Sequence, residues 1–156
     1  MLKRLLTISI FLLFLPTVQS GAENQKANMK GPITITADTL TADNKAHTAL
    51  FENSVVAKTT DFTLHADKML VFYKEDGGAV TKIEATGQVK VLRETRVITS
   101  KAAVYFAEEE KIIFTGDPRA MDADNMVSGT KMTYFMTNDR FLVENSKVIL
   151  KSRKDQ

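Results

Sequence analysis

The sequence of 156 residues predicts an all-β fold, a sandwich or folded-over sheet of about sixteen short strands in four quasi-repeats. Apolar and polar residues alternate with a period of two from Pro32 onward, which is typical of half-buried strands. Thr, Val, Ile, Phe and Tyr dominate these runs, as pleated surfaces favour. No stretch beyond residue 22 has the apolar stripe of an amphipathic helix.

Residues 1–22 have the three parts of a secretory signal peptide. A cationic start precedes an uncharged apolar run over residues 5–15, and small residues surround a cut after Ala22, with a second possible cut after Ser20. The apolar run of about 11 residues is short of the roughly 20 that span a bilayer. We therefore expect an exported protein, and an uncleaved membrane anchor is the alternative.

The net charge of the chain depends on this leader. The whole sequence has 21 basic and 19 acidic residues, but the leader holds Lys3 and Arg4 and no acid. Cleavage would leave 19 residues of each sign and a formal charge of zero. A neutral chain gives no support to binding along a phosphate backbone, so we expect no nucleic-acid partner.

The rest of the chain divides into three parts. Residues 23–31 are polar and are expected to be a flexible lead-in, residues 32–150 form the β domain, and residues 151–156 form a polar tail. Turn-forming residues separate the strands, as in Gly77-Gly78.

Two series of marker residues recur in the β domain. Small residues open each unit at spacings of 29, 34 and 29 residues, and Asn or Gly closes each unit at spacings of 34, 29 and 29 residues. Asn and Gly tolerate left-handed backbone angles, so we expect a bulge or a corner at each closing position. A five-residue insertion around residues 74–78 accounts for the longer second unit. The opening markers are Ala37, Ala66, Ser100 and Gly129, and the closing markers are Asn53, Gly87, Gly116 and Asn145.

The residues that carry enzyme or metal chemistry are missing from the sequence. There is no Cys, and the two His residues, His47 and His65, fall in different units, so we expect no metal site. Residues 122–125 imitate a calcium loop but lack its Gly and its distal Glu. Without a nucleophile elbow, phosphate loop or dinucleotide motif, we expect neither an enzyme nor a cofactor.

The first and last strands are candidate docking edges, because a terminal strand leaves N–H and C=O groups without partners. Each could accept a strand from another chain, unless the polar tails protect it. The edge residues are Ile33, Thr34, Ile35 and Thr36 at the N-terminal end and Lys147, Val148, Ile149 and Leu150 at the C-terminal end.

Four segments of the β domain stand in a specific order and spacing. They are Pro-Ile-Thr-Ile-Thr-Ala-Asp at 32–38, Thr-Ala-Leu-Phe-Glu-Asn-Ser-Val-Val at 48–56, Leu-His-Ala-Asp-Lys-Met-Leu-Val-Phe-Tyr at 64–73 and Ile-Glu-Ala-Thr-Gly-Gln-Val-Lys-Val at 83–91. These segments resemble the OstA-like domain family, and in particular its periplasmic lipopolysaccharide-transport members of the LptA type. The resemblance covers residues 32–150 and departs from the family at Asn53, where Gly is more usual.

The resemblance implies an open, V-shaped antiparallel β jelly roll with an apolar groove. It also implies a non-enzymatic periplasmic carrier or bridge, which moves lipopolysaccharide from an inner-membrane export complex to an outer-membrane translocon in a Gram-negative cell. The lipid A acyl chains would lie in the groove. The implied protein partners are an LptC-type protein at the N-terminal edge, an LptD-type translocon at the C-terminal edge, and further copies joined end to end.

The alternation and the resemblance together predict ten groove-lining residues, which would otherwise form a closed core. Two alternative functions remain: an LptC-like subunit tethered by residues 5–15, and a structural module that polymerises through its edges without lipid cargo. The groove residues are Ile33, Ile35, Leu40, Phe51, Met69, Val71, Val91, Tyr105, Tyr134 and Phe141.

Overall fold

The structure is a computed structural model that describes residues 32–76 and 78–151. The predicted signal peptide and lead-in, and residues 152–156 of the predicted tail, lie outside the described residues. The described part contains strands and no helix. Its twelve strands are β1 (Thr34–Thr36), β2 (Thr39–Asp43), β3 (Thr48–Lys58), β4 (Thr63–Tyr73), β5 (Val80–Arg93), β6 (Arg96–Phe106), β7 (Lys111–Thr115), β8 (Arg119–Asp122), β9 (Asn125–Ser128), β10 (Lys131–Phe135), β11 (Arg140–Glu144) and β12 (Lys147–Ile149).

All twelve strands belong to one antiparallel sheet that folds over itself into two layers. In layer one the order is β2, the first half of β3, the second half of β4, the first half of β5, the second half of β6, then β7, β10 and β11. In layer two the order is β1, the other halves of β3 to β6, then β8, β9 and β12. The sheet does not close, which confirms the predicted open all-β fold.

The marker residues lie where the chain crosses from one layer to the other. Each closing marker has a left-handed backbone, with φ of 64° at Asn53, 78° at Gly87, 77° at Gly116 and 50° at Asn145. At the first two of these the strand pairing also shifts register, as it does in a β-bulge. The opening markers occupy the facing crossings, between β1 and β2, within β4, within β6, and between β9 and β10.

The strand number differs from the expected sixteen because a bulge bends a strand without ending it. β3, β4, β5 and β6 each pass through both layers as one strand of 11 to 14 residues. When the two halves of these four strands are counted separately, each layer has eight short segments. The fourfold repeat is therefore present, and the crossings that run inside continuous strands are those at Asn53, Ala66, Gly87 and Ser100.

The inner faces of the two layers pack into one apolar core. Phe114 and Met132 from layer one are 0% exposed, and Val55 and Val89 from layer two are 1% exposed. Burying an aliphatic or aromatic side chain of this size contributes about 1.5–3 kcal/mol. The core stabilises the fold of one layer over the other, since neither face could be buried alone.

The outer face of layer one carries a row of three Phe residues that alternate with three cations across neighbouring strands. Lys82 Nζ lies 4.0 Å from the centre of the Phe72 ring, and Arg140 Cζ lies 4.6 Å from the centre of the Phe135 ring. Such cation–π pairs contribute about 0.5–1 kcal/mol each at exposed sites. The row is Phe72, Lys82, Phe106, Lys111, Phe135 and Arg140.

We expect Gly87→Ala to lower the free energy of unfolding by about 1–3 kcal/mol, because it combines a left-handed φ with a steric overlap. An added Cβ would lie 2.7 Å from Asp67 Cβ. Gly78→Ala is the matched control, since its Cβ would meet nothing closer than Asp76 Oδ1 at 3.7 Å. Urea unfolding of both variants measures the difference. Equal stability of the two variants would contradict the role of the corner.

Candidate functional site

The interior between the two layers is lined by apolar rows that run across the strands. One row in layer one passes through every strand of that layer, and a second row lies nearer the hairpin turns. A third row belongs to layer two. The first row is Leu40, Phe51, Met69, Ala85, Ala103, Phe114, Met132 and Val143; the second is Ala42, Ala49, Val71, Ile83, Tyr105, Ile112, Tyr134 and Phe141; the third is Ile35, Ala57, Leu64, Val91, Ile98, Ala120, Val127 and Val148.

All ten residues predicted to line a groove belong to these inner faces. Nine are members of the three rows, and Ile33 lies two residues before Ile35 of the third row. They differ in exposure, because the interior is filled in its middle and open at its ends. Leu40 is 58% exposed at the N-terminal edge. Half-buried positions are Ile33, Ile35, Phe51, Tyr105 and Phe141, and buried positions are Met69, Val71, Val91 and Tyr134. Contact of these residues with lipid stays a prediction.

Two of the cavities in the described part of the chain lie between the layers. The one toward the N-terminal end has a volume of about 30 Å³, is lined only by apolar surface, and includes Ile33, Phe62 and Tyr105 in its wall. The other, toward the C-terminal end, has about 230 Å³ and includes Val127 and Phe141 in its wall. Both are smaller than the about 300–1,000 Å³ of typical ligand pockets. A bulky lipid therefore requires the layers to move apart.

A polar network joins the two layers at the mouth, the side of the interior where the hairpin turns lie. Arg93 and Arg96 face each other at the tip of the β5–β6 hairpin in layer two. Asp139 in the β10–β11 turn of layer one accepts a hydrogen bond from Arg93 Nη1 at 3.1 Å and one from Tyr134 Oη at 2.8 Å. Arg96 Nη1 lies 3.7 Å from the same Asp139 Oδ1, and Arg96 Nη2 lies 3.8 Å from Asp122 Oδ2.

Two aromatic rings lie under the arginines of this network. The Tyr134 and Phe141 rings are stacked, with centres 4.5 Å apart and planes 19° apart. Arg93 Cζ lies 5.5 Å from the centre of the Tyr134 ring, and Arg96 Cζ lies 4.9 Å from that of Phe141. Cation–π attraction therefore holds both guanidinium groups over layer one.

A carboxylate lies near the N-terminal cavity. Glu110, in the turn between β6 and β7, is buried, and its Oε2 has no hydrogen-bond partner among the described residues. Burial raises the pKa of the Tyr105 phenol above its usual 10.0, and the negative charge of Glu110 raises this pKa further. The Tyr105 hydroxyl therefore stays neutral in the apolar wall of the cavity.

The predicted docking edges are free on one side in the part of the chain that the structure describes. β1 pairs only with β3, and β12 pairs only with β9. Val148 is 53% exposed, and Ile149 and Leu150 are exposed as well. The ability of these edges to bind a partner stays a prediction.

Sequence reasoning missed a second pair of edges and the polar network. β2 and β11 are the terminal strands of layer one, and each has one strand neighbour among the described residues. The fourfold repeat could have indicated them. Each of the two layers has one terminal strand at each end of the molecule, which gives four terminal strands in all. No sequence signal marks Arg93, Arg96 and Asp139 as partners, since the pairing depends on which turns meet at the mouth.

Among the described residues, no group of three or more His, Cys, Asp or Glu side chains could hold a metal ion. That part of the chain also has no helix with the length and apolar character to cross a bilayer. The alternative of an anchor at residues 5–15 lies outside the described residues.

We expect the stability of the folded chain to fall above pH 10.0, because the Tyr105 phenol ionises in the unfolded state before it ionises in the folded state. Below that pH the phenol is neutral in both states and contributes no pH dependence. Tyr105→Phe should remove this contribution, and Glu110→Gln should reduce it. Urea unfolding at several pH values on both sides of 10.0 measures the difference between each variant and the wild type. An identical pH dependence for the wild type and Tyr105→Phe would contradict the raised pKa.

Comparison with known proteins supplies the family. No curated protein sequence matches the chain. Among solved structures, LptH of Pseudomonas aeruginosa, described as the LptA homologous periplasmic component of the conserved lipopolysaccharide transport device, is similar with a TM-score of 0.72. The two sequences are 12% identical, and the alignment covers 81% of this chain and 99% of that one, which shows a shared fold. A family model described as "LptA/(LptD N-terminal domain) LPS transport protein" matches residues 34–140, more than half of the sequence. The chain therefore belongs to this family, which consists of transport proteins and not of enzymes, as the sequence predicts.

Proposed function

We propose that this chain is a periplasmic carrier of lipopolysaccharide that holds the acyl chains of lipid A between its two layers. The observation that carries the proposal is that the apolar inner faces reach both ends of the open sheet. Leu40 belongs to the inner face at one end and is 58% exposed, and Val148 belongs to it at the other end and is 53% exposed. The periplasmic location is supported by the export signal predicted at residues 1–22.

The energetics of acyl chains suit an interior of this kind. Burying hydrocarbon contributes about 0.8 kcal/mol per CH₂ and requires no directional partner. The inner rows offer such surface, and the carboxylates and cations of the mouth lie at its border with water. Sugars and phosphates of the lipid would stay on the water side of that border.

We infer that copies of the chain join end to end through both edges of each layer. Strand directions alternate across each layer, so β12 of one copy would lie antiparallel to β1 of the next, and β11 antiparallel to β2. Pairing of this kind satisfies the free N–H and C=O groups at both ends of the sheet. It would also join the inner faces of successive copies into one continuous apolar path.

We further infer which edges the membrane partners would use, from the family resemblance of the sequence. An LptC-type protein of the inner membrane would pair with β1 and β2, and an LptD-type translocon of the outer membrane would pair with β11 and β12. The chain would then bridge the two membranes and pass lipopolysaccharide outward. An LptC-like subunit tethered by residues 5–15 and a structural module without lipid remain as outcomes of the experiments below.

Photo-crosslinking tests the carrier function. We expect a photoreactive phenylalanine at Ile35 or Tyr105 to form adducts with lipopolysaccharide, because both positions belong to the inner faces. The matched control is Val104, which is half-buried on the outer face beside Tyr105. Adducts are measured by immunoblotting for lipopolysaccharide after irradiation of cells. A folded protein without adducts at either inner position, or with equal adducts at Val104, would contradict the proposal and favour a module without lipid.

Removal of a terminal strand tests the assembly. We expect deletion of residues 147–150 to weaken concentration-dependent association strongly, because it removes β12 and leaves β11 as the only docking edge at that end. Deletion of residues 152–156 is the control, since it leaves β12 intact. Sedimentation velocity over a range of concentrations measures the size distribution, and circular dichroism verifies the β content. Undiminished association of the first variant would place the docking edge elsewhere.

A further inference from the structure

We propose that the network of Arg93, Arg96 and Asp139 is a latch across the mouth and that a phosphate group on an amphiphile opens it by taking the place of Asp139. This proposal rests on the proposed carrier function. It adds a phosphate-binding site and a mechanism for opening the interior, and both follow from residues at the mouth.

The network connects the two layers directly. Arg93 and Arg96 extend from the hairpin tip of layer two, and the Asp139 carboxylate comes from a turn of layer one. Between and beneath these groups lie the stacked rings of Tyr134 and Phe141. Separation of the layers on this side must therefore break both contacts of the arginines with Asp139.

The contacts of Asp139 are suited to exchange. Its side chain is 61% exposed, and the ion pairs lie in contact with water, where such pairs are weak. Arginine binds a phosphate through two parallel hydrogen bonds, and the phosphate carries more charge than a carboxylate. A phosphate can thus displace Asp139 while the aromatic rings keep the guanidinium groups in place.

Two adjoining cavities fit the two ends of such an amphiphile. A polar cavity of about 90 Å³ is lined by Arg93, Glu94, Thr95, Arg96, Asp122 and Asp139. The apolar cavity of about 230 Å³ shares Arg96 and Asp122 with it. A phosphate in the first cavity therefore directs its hydrocarbon chain into the second.

Release of Asp139 has a consequence for the interior. The apolar cavity has about 230 Å³ while the latch is closed, and Tyr134 is buried beneath Arg93. When the arginines bind the ligand, the β10–β11 turn of layer one loses its link to layer two. The mouth then widens more readily when cargo of the right chemistry is present.

Calorimetric titration of the full chain with dodecyl phosphate, dodecanol and inorganic phosphate tests the proposal. We expect the wild type to bind dodecyl phosphate roughly tenfold or more tightly than dodecanol. Arg93→Gln combined with Arg96→Gln should remove this preference, and dodecanol should bind the double variant at least as tightly as the wild type, because the contacts of both arginines with Asp139 are gone. Asp139→Asn should tighten dodecyl phosphate binding several-fold, because the competing carboxylate is gone. Arg119→Gln, which removes a cation from the outer face of layer two, is the control and should behave as the wild type.

The outcomes separate the latch from the carrier function. Equal preference for dodecyl phosphate in the wild type and the double variant, or weaker binding by Asp139→Asn, overturns the latch. Binding of inorganic phosphate as tightly as dodecyl phosphate also overturns it, since the site would then recognise a free anion. If dodecanol binds and lipopolysaccharide adducts form at Ile35 without any phosphate preference, the carrier function stands and the latch fails. If neither amphiphile binds, the carrier function fails.

Discussion

The fold depends on a backbone constraint: four long strands must bend within themselves and still keep their pairing. Asn53 and Gly87 meet this constraint with φ of 64° and 78°, angles that cost Gly nothing and Asn little. Because neighbouring strands bend at facing positions, the sheet folds along one line instead of breaking into two separate sheets. Gly116 and Asn145 continue that line where the chain connects two separate strands. The interior and the mouth both follow from this line of corners.

One folded sheet gives a layered core with open ends. A closed barrel would have no terminal strands and therefore no open ends. Each strand buries its inner residues against the opposite layer, so Phe114 and Met132 reach 0% exposure in the middle. At each end of the sheet there is no further strand to cover the last residues of the inner faces. Leu40 of layer one and Val148 of layer two therefore stay exposed although both belong to inner faces. The exposure of inner residues thus rises toward both ends because the sheet stops there. A further copy at either end would extend the buried region, because the pairing pattern repeats.

The sequence predicted those features that depend on local backbone chemistry and on periodicity. The alternation and the family resemblance together predicted ten residues, from Ile33 to Phe141, that lie on the inner faces, and the spacing of Asn and Gly predicted the corners. The alternation could not predict how far each residue is buried, because Met69 and Leu40 have the same periodicity and differ only in their distance from the sheet edge. Nor could it predict the contact of Arg93 with Asp139, which joins two turns 46 residues apart. Local patterns predict faces and corners, whereas the packing of one layer on the other decides which side chains meet.

The filled middle of the interior suits the unloaded state of the proposed lipid carrier. An empty apolar groove would expose hydrocarbon surface to water at a cost of about 25 cal/mol per Å². The chain avoids this cost by packing Tyr134 against Phe141 and by keeping both cavities small. If acyl chains enter the interior as proposed, they would replace contacts that these side chains make with each other, so the gain from burial of each methylene must exceed the loss of that packing. Weak, water-exposed ion pairs at the mouth then keep the closed state from becoming too stable to open, since each contributes no more than about 1 kcal/mol.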